Sequence, residues 1–291
     1  VTRRLRSYLS PAQRLRSALP LLPFGVFVTI FLIIPTVTVI VSAFYLDGVF
    51  SLQRIGLLFS ETALTALGKS VLLSASTALI GAILGAVLAW LVVTSSPNSP
   101  LRRVVLSLCS VLAQFGGVAL AFAFLATIGL NGVLTLWVSE RFGFNLAGDG
   151  WLYSLRGLIL VYTYFQIPLM VIVFAPALEG LRAEWREAAV SLGASRWAYW
   201  REVGFPLLMP AFLGSALLLF ANAFAAYATA AALVSQGSPI VPLLIRTALT
   251  SEVVLGQSGF AYALALEMVV VVAVVMVAYN LLVRRTSRWL Q

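Results

Sequence analysis

Residues 187–210 read EAAVSLGASRWAYWREVGFPLLMP, the core of a charged island between an apolar run that ends at Leu178 and another that begins at Leu207. From Glu179 to Phe205 the island carries Arg182, Arg186, Arg196 and Arg201 against Glu179, Glu184, Glu187 and Glu202. The spacing predicts a short amphipathic helix over Glu184–Leu192, with Trp185, Ala188, Ala189 and Leu192 on one face and Arg182, Arg186 and Glu187 elsewhere. Gly193 is placed to stop it, because a glycine past the last turn takes the left-handed conformation without a Cβ clash. A second short helix is expected from Ser195 to Val203, ending at Pro206.

Outward from this island the chain is almost wholly apolar. Hydrophobic residues make up 61% of the 291 positions and charged residues 10%, with a mean hydropathy of +1.02; a soluble domain is nearer a quarter charged. Six runs are long enough to cross about 30 Å of hydrocarbon: 21–44, 70–93, 104–129, 157–178, 207–234 and 260–283. A span must satisfy its own backbone polar groups, so the expected fold is an all-α integral membrane protein, and no short alternating segments suggest a barrel. Neither a repeat nor a low-complexity linker divides the chain, so residues 1–291 are expected to form one transmembrane domain.

The first twenty residues hold Arg3, Arg4, Arg6, Arg14 and Arg16 and no acid. The run that follows is too long for the apolar core of a signal peptide, so an uncleaved span preceded by a basic tail on the cytoplasmic lipid surface is expected. With that tail inside, fourteen of the nineteen Arg and Lys residues fall on the same side as the island, and five (Arg54, Lys69, Arg141, Arg156, Arg246) on the other. This bias puts both termini and residues 179–205 in the cytoplasm. The net charge of +9 is therefore read as orientation and affinity for anionic lipid, not for nucleic acid.

With one cysteine, Cys109, and no histidine, no internal disulfide is possible and no metal site of the usual kind is expected. The only lysine, Lys69, follows ALTALG, not a phosphate-cradling glycine run, so any ATP is expected on a partner.

The island resembles the EAA loop of binding-protein-dependent ABC importer permeases. Glu187, Ala188 and Ala189 fit its opening, Gly193 lies six positions after the glutamate, Trp197, Trp200, Val203 and Phe205 fit its apolar ladder, and Pro206 and Pro210 close it. The resemblance extends to LPFGVFVTIFLIIPTVTVIVSAF, FSLQRIGLLF and SVLLSASTALIGAILGAVLAWLV, which look like the opening segments of permeases of the polyamine type. It implies a type I ABC importer transmembrane domain in a bacterial inner membrane, one half of a substrate pore completed by an identical or homologous second permease. It also implies a cytoplasmic ABC ATPase dimer that holds ATP and Mg, an extracytoplasmic substrate-binding protein, no cofactor and no catalysis on this chain. Glu184, Glu187, Ala188, Ala189, Leu192, Gly193 and Pro206 are then the expected coupling residues. EAAVSLGASRW is closer to permeases for polyamines, thiamine, iron(III), sulfate or phosphonates than to those for sugars, and a polyamine-like solute is favoured.

Four polar residues are candidates for the path. Glu267 is the only acid well inside a run, where an unpaired carboxylate is costly and faces either the bundle interior or a partner such as Arg246. Asn222, Ala226, Thr229 and Leu233 follow one helical stripe with Tyr227 beside it, which serves either a path or close packing. Gly81, Gly85, Gly116 and Gly117 are assigned mainly to packing, Pro168 and Pro176 to kinks, and Cys109 to the core. A secondary carrier would need paired ionisable groups and usually repeated halves, and a membrane enzyme a nucleophile with its base or a carboxylate pair; the sequence offers neither.

Overall fold

The computed structural model describes residues 21–46, 49–96, 98–234, 240–250 and 258–286. The basic tail 1–20 lies outside them. Among the described residues six helical stretches are long and apolar enough to cross a membrane, the third of them Gly117–Phe142 in two pieces, and they are built around the fourth. Helix α1, Leu22–Phe44, leads through a hairpin pairing Tyr45–Leu46 with Val49–Phe50 to α2, Glu61–Thr94. Then come α3, Pro100–Gln114, α4, Gly117–Ile128, and α5, Val133–Phe142. The fourth span is α6, Leu155–Glu179; α7, Ala183–Ser191, follows it, and α8 runs over Arg196–Ala225. The rest is α9, Ala228–Leu233, α10, Val241–Thr250, and α11, Ser258–Thr286.

Burial explains why α6 is the axis. Over half of its apolar window is covered by protein, against none for α1, whose apolar faces look outward and whose second half rests on α11. Leu158, Val161, Tyr162 and Phe165 join Leu120, Ala230 and Leu233 in one core cluster, and Met170, Val171 and Phe174 join Ala78, Ala82 and Leu219 in another. Helix α2 reaches α6 because it presents glycines there. A Cβ on Gly81 would lie 2.6 Å from Gln166 Cβ, and one on Gly85 2.5 Å from Met170 Cβ and 2.7 Å from the Ile167 carbonyl. These two glycines pack as expected.

Four features differ from the sequence expectation. The second span begins at Glu61 instead of Ser70, because Ser60 caps it by accepting from the Ala63 N–H. Its 34 residues extend about 51 Å, well beyond a hydrocarbon core. The second island helix does not end at Pro206 but continues into the fifth span. Trp200–Gly204 forms a π turn in which the Phe205 N–H bonds Trp200 O, so the wider turn carries the helix past a proline that has no N–H to give. The same device precedes Pro35, where the Ile34 N–H bonds Thr29 O.

The third run, expected as one helix over 104–129, is broken near its middle. Phe115 and Gly116 turn back onto Val111, Leu112 and Gln114, and Gly117 enters α4 at φ +69. Gly116 and Gly117 thus make a break, not a packing contact. The fifth run breaks too, at Ala226, which is extended (φ −71, ψ 111) between α8 and α9. By contrast α6 remains one helix through Pro168 and Pro176.

Candidate functional site

The island residues form a loop whose base is anchored and whose tip is bare. At the base, Arg102 at the start of α3 pairs with Glu179 at the end of α6, and Trp200 packs edge-on to Trp90 at 6.4 Å, with Gly204 leaving room beneath its ring. The tip is α7. Its first turn carries Glu184, favourable at the positive end of a helix dipole, and the Arg182 guanidinium lies 5.9 Å from the Trp185 ring centroid. At its end the Gly193 N–H bonds Val190 O at 2.9 Å and the Ala194 N–H bonds Ala189 O at 2.9 Å, with Gly193 at φ +79. That pair of bonds is a Schellman motif, in which the carbonyls left over by the helix are capped by a left-handed residue. Ser195 then caps α8, accepting from the Ala198 N–H.

No residue of α7 is buried. Glu184, Glu187 and Ala188 are exposed and Ala189 half-buried, while Leu192 is 88% and Trp197 73% exposed, beside exposed Val190 and Trp185. Pro206 lies at the root of this loop, on α8. A charged loop that holds four large apolar side chains in the open presents a docking surface to a partner.

The second candidate lies where the two broken runs meet. Ala113, Gly116, Gly117, Phe165, Asn222, Ala226, Tyr227, Ala228 and Thr229 line an open cavity of about 220 Å³. Asn222, Tyr227 and Thr229 are therefore brought together, although the helix that was to carry them as one stripe is interrupted; Leu233 is buried in the core instead. Glu267 does not line this cavity. It sits on α11 with Oε2 buried and without a hydrogen-bond partner among the described residues, and Arg246 does not pair with it. A larger groove along Leu22, Gly25, Val26, Thr29 and Ile30 belongs to one outward-facing helix, and its single hydroxyl, on Thr29, is spent on Gly25 O.

Two residues that the sequence reading passed over shape the cavity wall. Tyr162 donates from its hydroxyl to Ala226 O at 2.6 Å, and Gln166 donates from Nε2 to Leu219 O at 2.8 Å. Both are fully buried. An amide alone in an apolar span was a visible signal, but its partner on α8 was not. Among the described residues no three His, Cys, Asp or Glu side chains come together to hold a metal.

Residues 81–288 match the family described as binding-protein-dependent transport system inner membrane component. The chain is 28% identical over 204 residues to the sulfate transport system permease protein CysW of Escherichia coli, covering 70% of this chain and 66% of that one. Over 153 residues it is 30% identical to the molybdenum transport system permease protein ModB of Escherichia coli, covering 52% and 63%. To the putative ferric transport system permease protein FbpB 1 of Haemophilus influenzae it is 24% identical over 196 residues, 67% of this chain and 30% of that one. The chain thus spans just under two thirds of the first two relatives and under a third of the last. Among solved structures, a bacterial ABC transporter involved in the import of the acidic polysaccharide alginate has a chain that superposes with a TM-score of 0.75 at 18% identity, covering 93% of this chain and 95% of that one. At that identity the likeness is one of fold.

Proposed function

The chain belongs to the family of binding-protein-dependent transport system inner membrane components, and on that premise we propose that it is the permease subunit of an ABC importer. In this reading it forms half of a substrate pore in the cytoplasmic membrane of a bacterium, with both termini inside, and α7 couples it to a separate ATPase. The observation that carries the reading is the bare tip of the loop: a helix with no buried residue, closed at its C-terminal end by Gly193 and flanked by exposed Leu192 and Trp197. ATP and Mg belong to the partner, and a second permease and an extracytoplasmic binding protein complete the assembly. The chain itself performs no catalysis.

The substrate is a small polar solute. A polyamine would call for carboxylates, and no acid stands among the nine cavity-lining residues. The helix α4 instead brings its uncapped N-terminal N–H groups to the cavity at Gly117, which favours a neutral or anionic solute. Relatives named for sulfate and molybdenum transport agree with that preference, and the one named for ferric transport does not.

Two experiments test this reading. In a Cys109→Ser background, Ser191→Cys reacts with an impermeant thiol reagent only from the cytoplasmic side and Asn145→Cys only from outside; both positions are exposed. The reverse pattern overturns the orientation. Separately, Asn222→Leu alters uptake by the assembled importer while insertion and ATPase binding persist. Unchanged uptake removes Asn222 from the path.

A further inference from the structure

The cavity wall at Asn222 belongs to a segment, Leu219–Ala226, that is held at both ends from the same neighbouring helix. Tyr162 and Gln166 stand one turn apart on α6, on the face turned toward α8. Their hydrogen bonds end on carbonyls seven residues apart, at Ala226 and Leu219. Asn222 lies between these two anchors. The Ala226 carbonyl sits at the break, where the helix no longer supplies the next N–H, so the tyrosine hydroxyl satisfies a backbone group that would otherwise be orphaned. Gln166 is fully buried, yet its Oε1 has no partner among the described residues. A buried acceptor left empty is a cost that an apolar side chain would avoid, so what the amide contributes is its donor. Gly81 closes on both partners of this contact, a Cβ there lying 2.6 Å from Gln166 Cβ and 3.3 Å from Leu219 Cδ2, so α2 fixes the backbone on which the glutamine stands.

We propose that Tyr162 and Gln166 are positioning residues of the translocation path: from one face of α6 they clamp both ends of Leu219–Ala226 and so hold Asn222 toward the cavity. The proposal rests on the reading of that cavity as part of the path. It also gives the fourth span a second task. The helix that leads directly into α7 grips the cavity wall on the fifth span, so that a displacement at the loop is carried to Asn222 through two short hydrogen bonds as well as along α8.

The test uses Asn222→Cys in a Cys109→Ser background, in native membranes that hold the full importer, labelled with methanethiosulfonate ethylammonium. Met209→Cys, on the same helix below the clamped segment, serves as reference. Tyr162→Phe and Gln166→Leu are expected to change the labelling rate at Asn222→Cys by roughly tenfold and that at Met209→Cys by no more than about twofold, since each removes one buried hydrogen bond confined to the segment. Gln166→Glu supplies the signature that packing alone cannot give. Its carboxyl donates to Leu219 O only while protonated, so labelling matches the parent at low pH and moves to the Gln166→Leu value as pH rises. Rates at Asn222→Cys that stay at the parental value in all three variants overturn the clamp. If Asn222→Cys is unreactive in the parent itself, the path reading fails and the clamp falls with it.

Discussion

Ala188→Trp and Glu187→Arg are each expected to yield a protein that inserts, folds and pairs with the proposed second permease, yet loses at least roughly tenfold in uptake, because a docking helix of the kind proposed for α7 concentrates its binding energy in a few contacts worth about 2 kcal/mol or more. The fold is expected to survive because no residue of α7 is buried and Glu187 and Ala188 are exposed, so they can change without opening a core. Ala188 is exposed on α7, and an indole there holds the helix out of any groove shaped for a methyl group. Glu187→Arg reverses a charge on the same exposed helix. Gly193→Ala is milder. A Cβ there would meet nothing within 4 Å, so the penalty is the left-handed backbone alone, about 1 kcal/mol, enough to misaim the helix but not to unfold it. Uptake and binding-protein-stimulated ATP hydrolysis, measured on the purified complex in lipid, report the loss. Full activity in both of the first two variants returns the loop to the status of a plain connector.

The opposite outcome, loss of the fold with the loop intact, is expected from Gly85→Val. Its branches must enter space where even a Cβ is 2.5 Å from Met170 Cβ and 2.7 Å from the Ile167 carbonyl. A backbone oxygen cannot rotate away, so α2 and α6 must separate along the most buried span of the chain. Overpacking of this kind costs about 1–3 kcal/mol and occasionally more, and the amount of folded protein recovered in detergent falls accordingly. Gly68→Val is the control on the same helix, since a Cβ at Gly68 meets nothing within 4 Å. Equal thermal stability of the two variants, followed by size-exclusion chromatography after heating, contradicts the packing account.

The parts of this protein legible in its sequence are those set by solvent. Apolar length marks the spans, and a loop whose charged and apolar residues alternate at helical spacing marks α7, because both are answers to water and lipid. The parts that were not legible are set by neighbours. Nothing in ANAFAAYATAAAL, residues 221–233, argues for a break: alanine favours helix and neither glycine nor proline intervenes. The chain parts at Ala226 where a hydroxyl 64 residues away takes up the carbonyl. At Gly116 and Gly117 the signal was present but ambiguous, since paired glycines in a span serve close packing and left-handed turns alike. Pro206 misled for a different reason. A proline ends a helix only if its missing N–H strands a carbonyl, and the π turn at Trp200–Gly204 rearranges the bonding ahead of it. The second span is longer than its apolar run because Glu61 and Lys69 interrupt the apolar residues, whereas helical hydrogen bonding continues to the cap at Ser60.

The claim that most needs a direct test is that the bare tip of the loop seats in an ATPase. A photoreactive benzophenone residue at Leu192, 88% exposed, and a second one at Phe144, 61% exposed beyond α5, can be irradiated in membranes of cells that carry the complete importer. The expected result is a covalent adduct from position 192 with a protein that binds ATP through a phosphate-cradling loop, and no such adduct from position 144. An ATPase adduct from 144 and none from 192 would contradict the account.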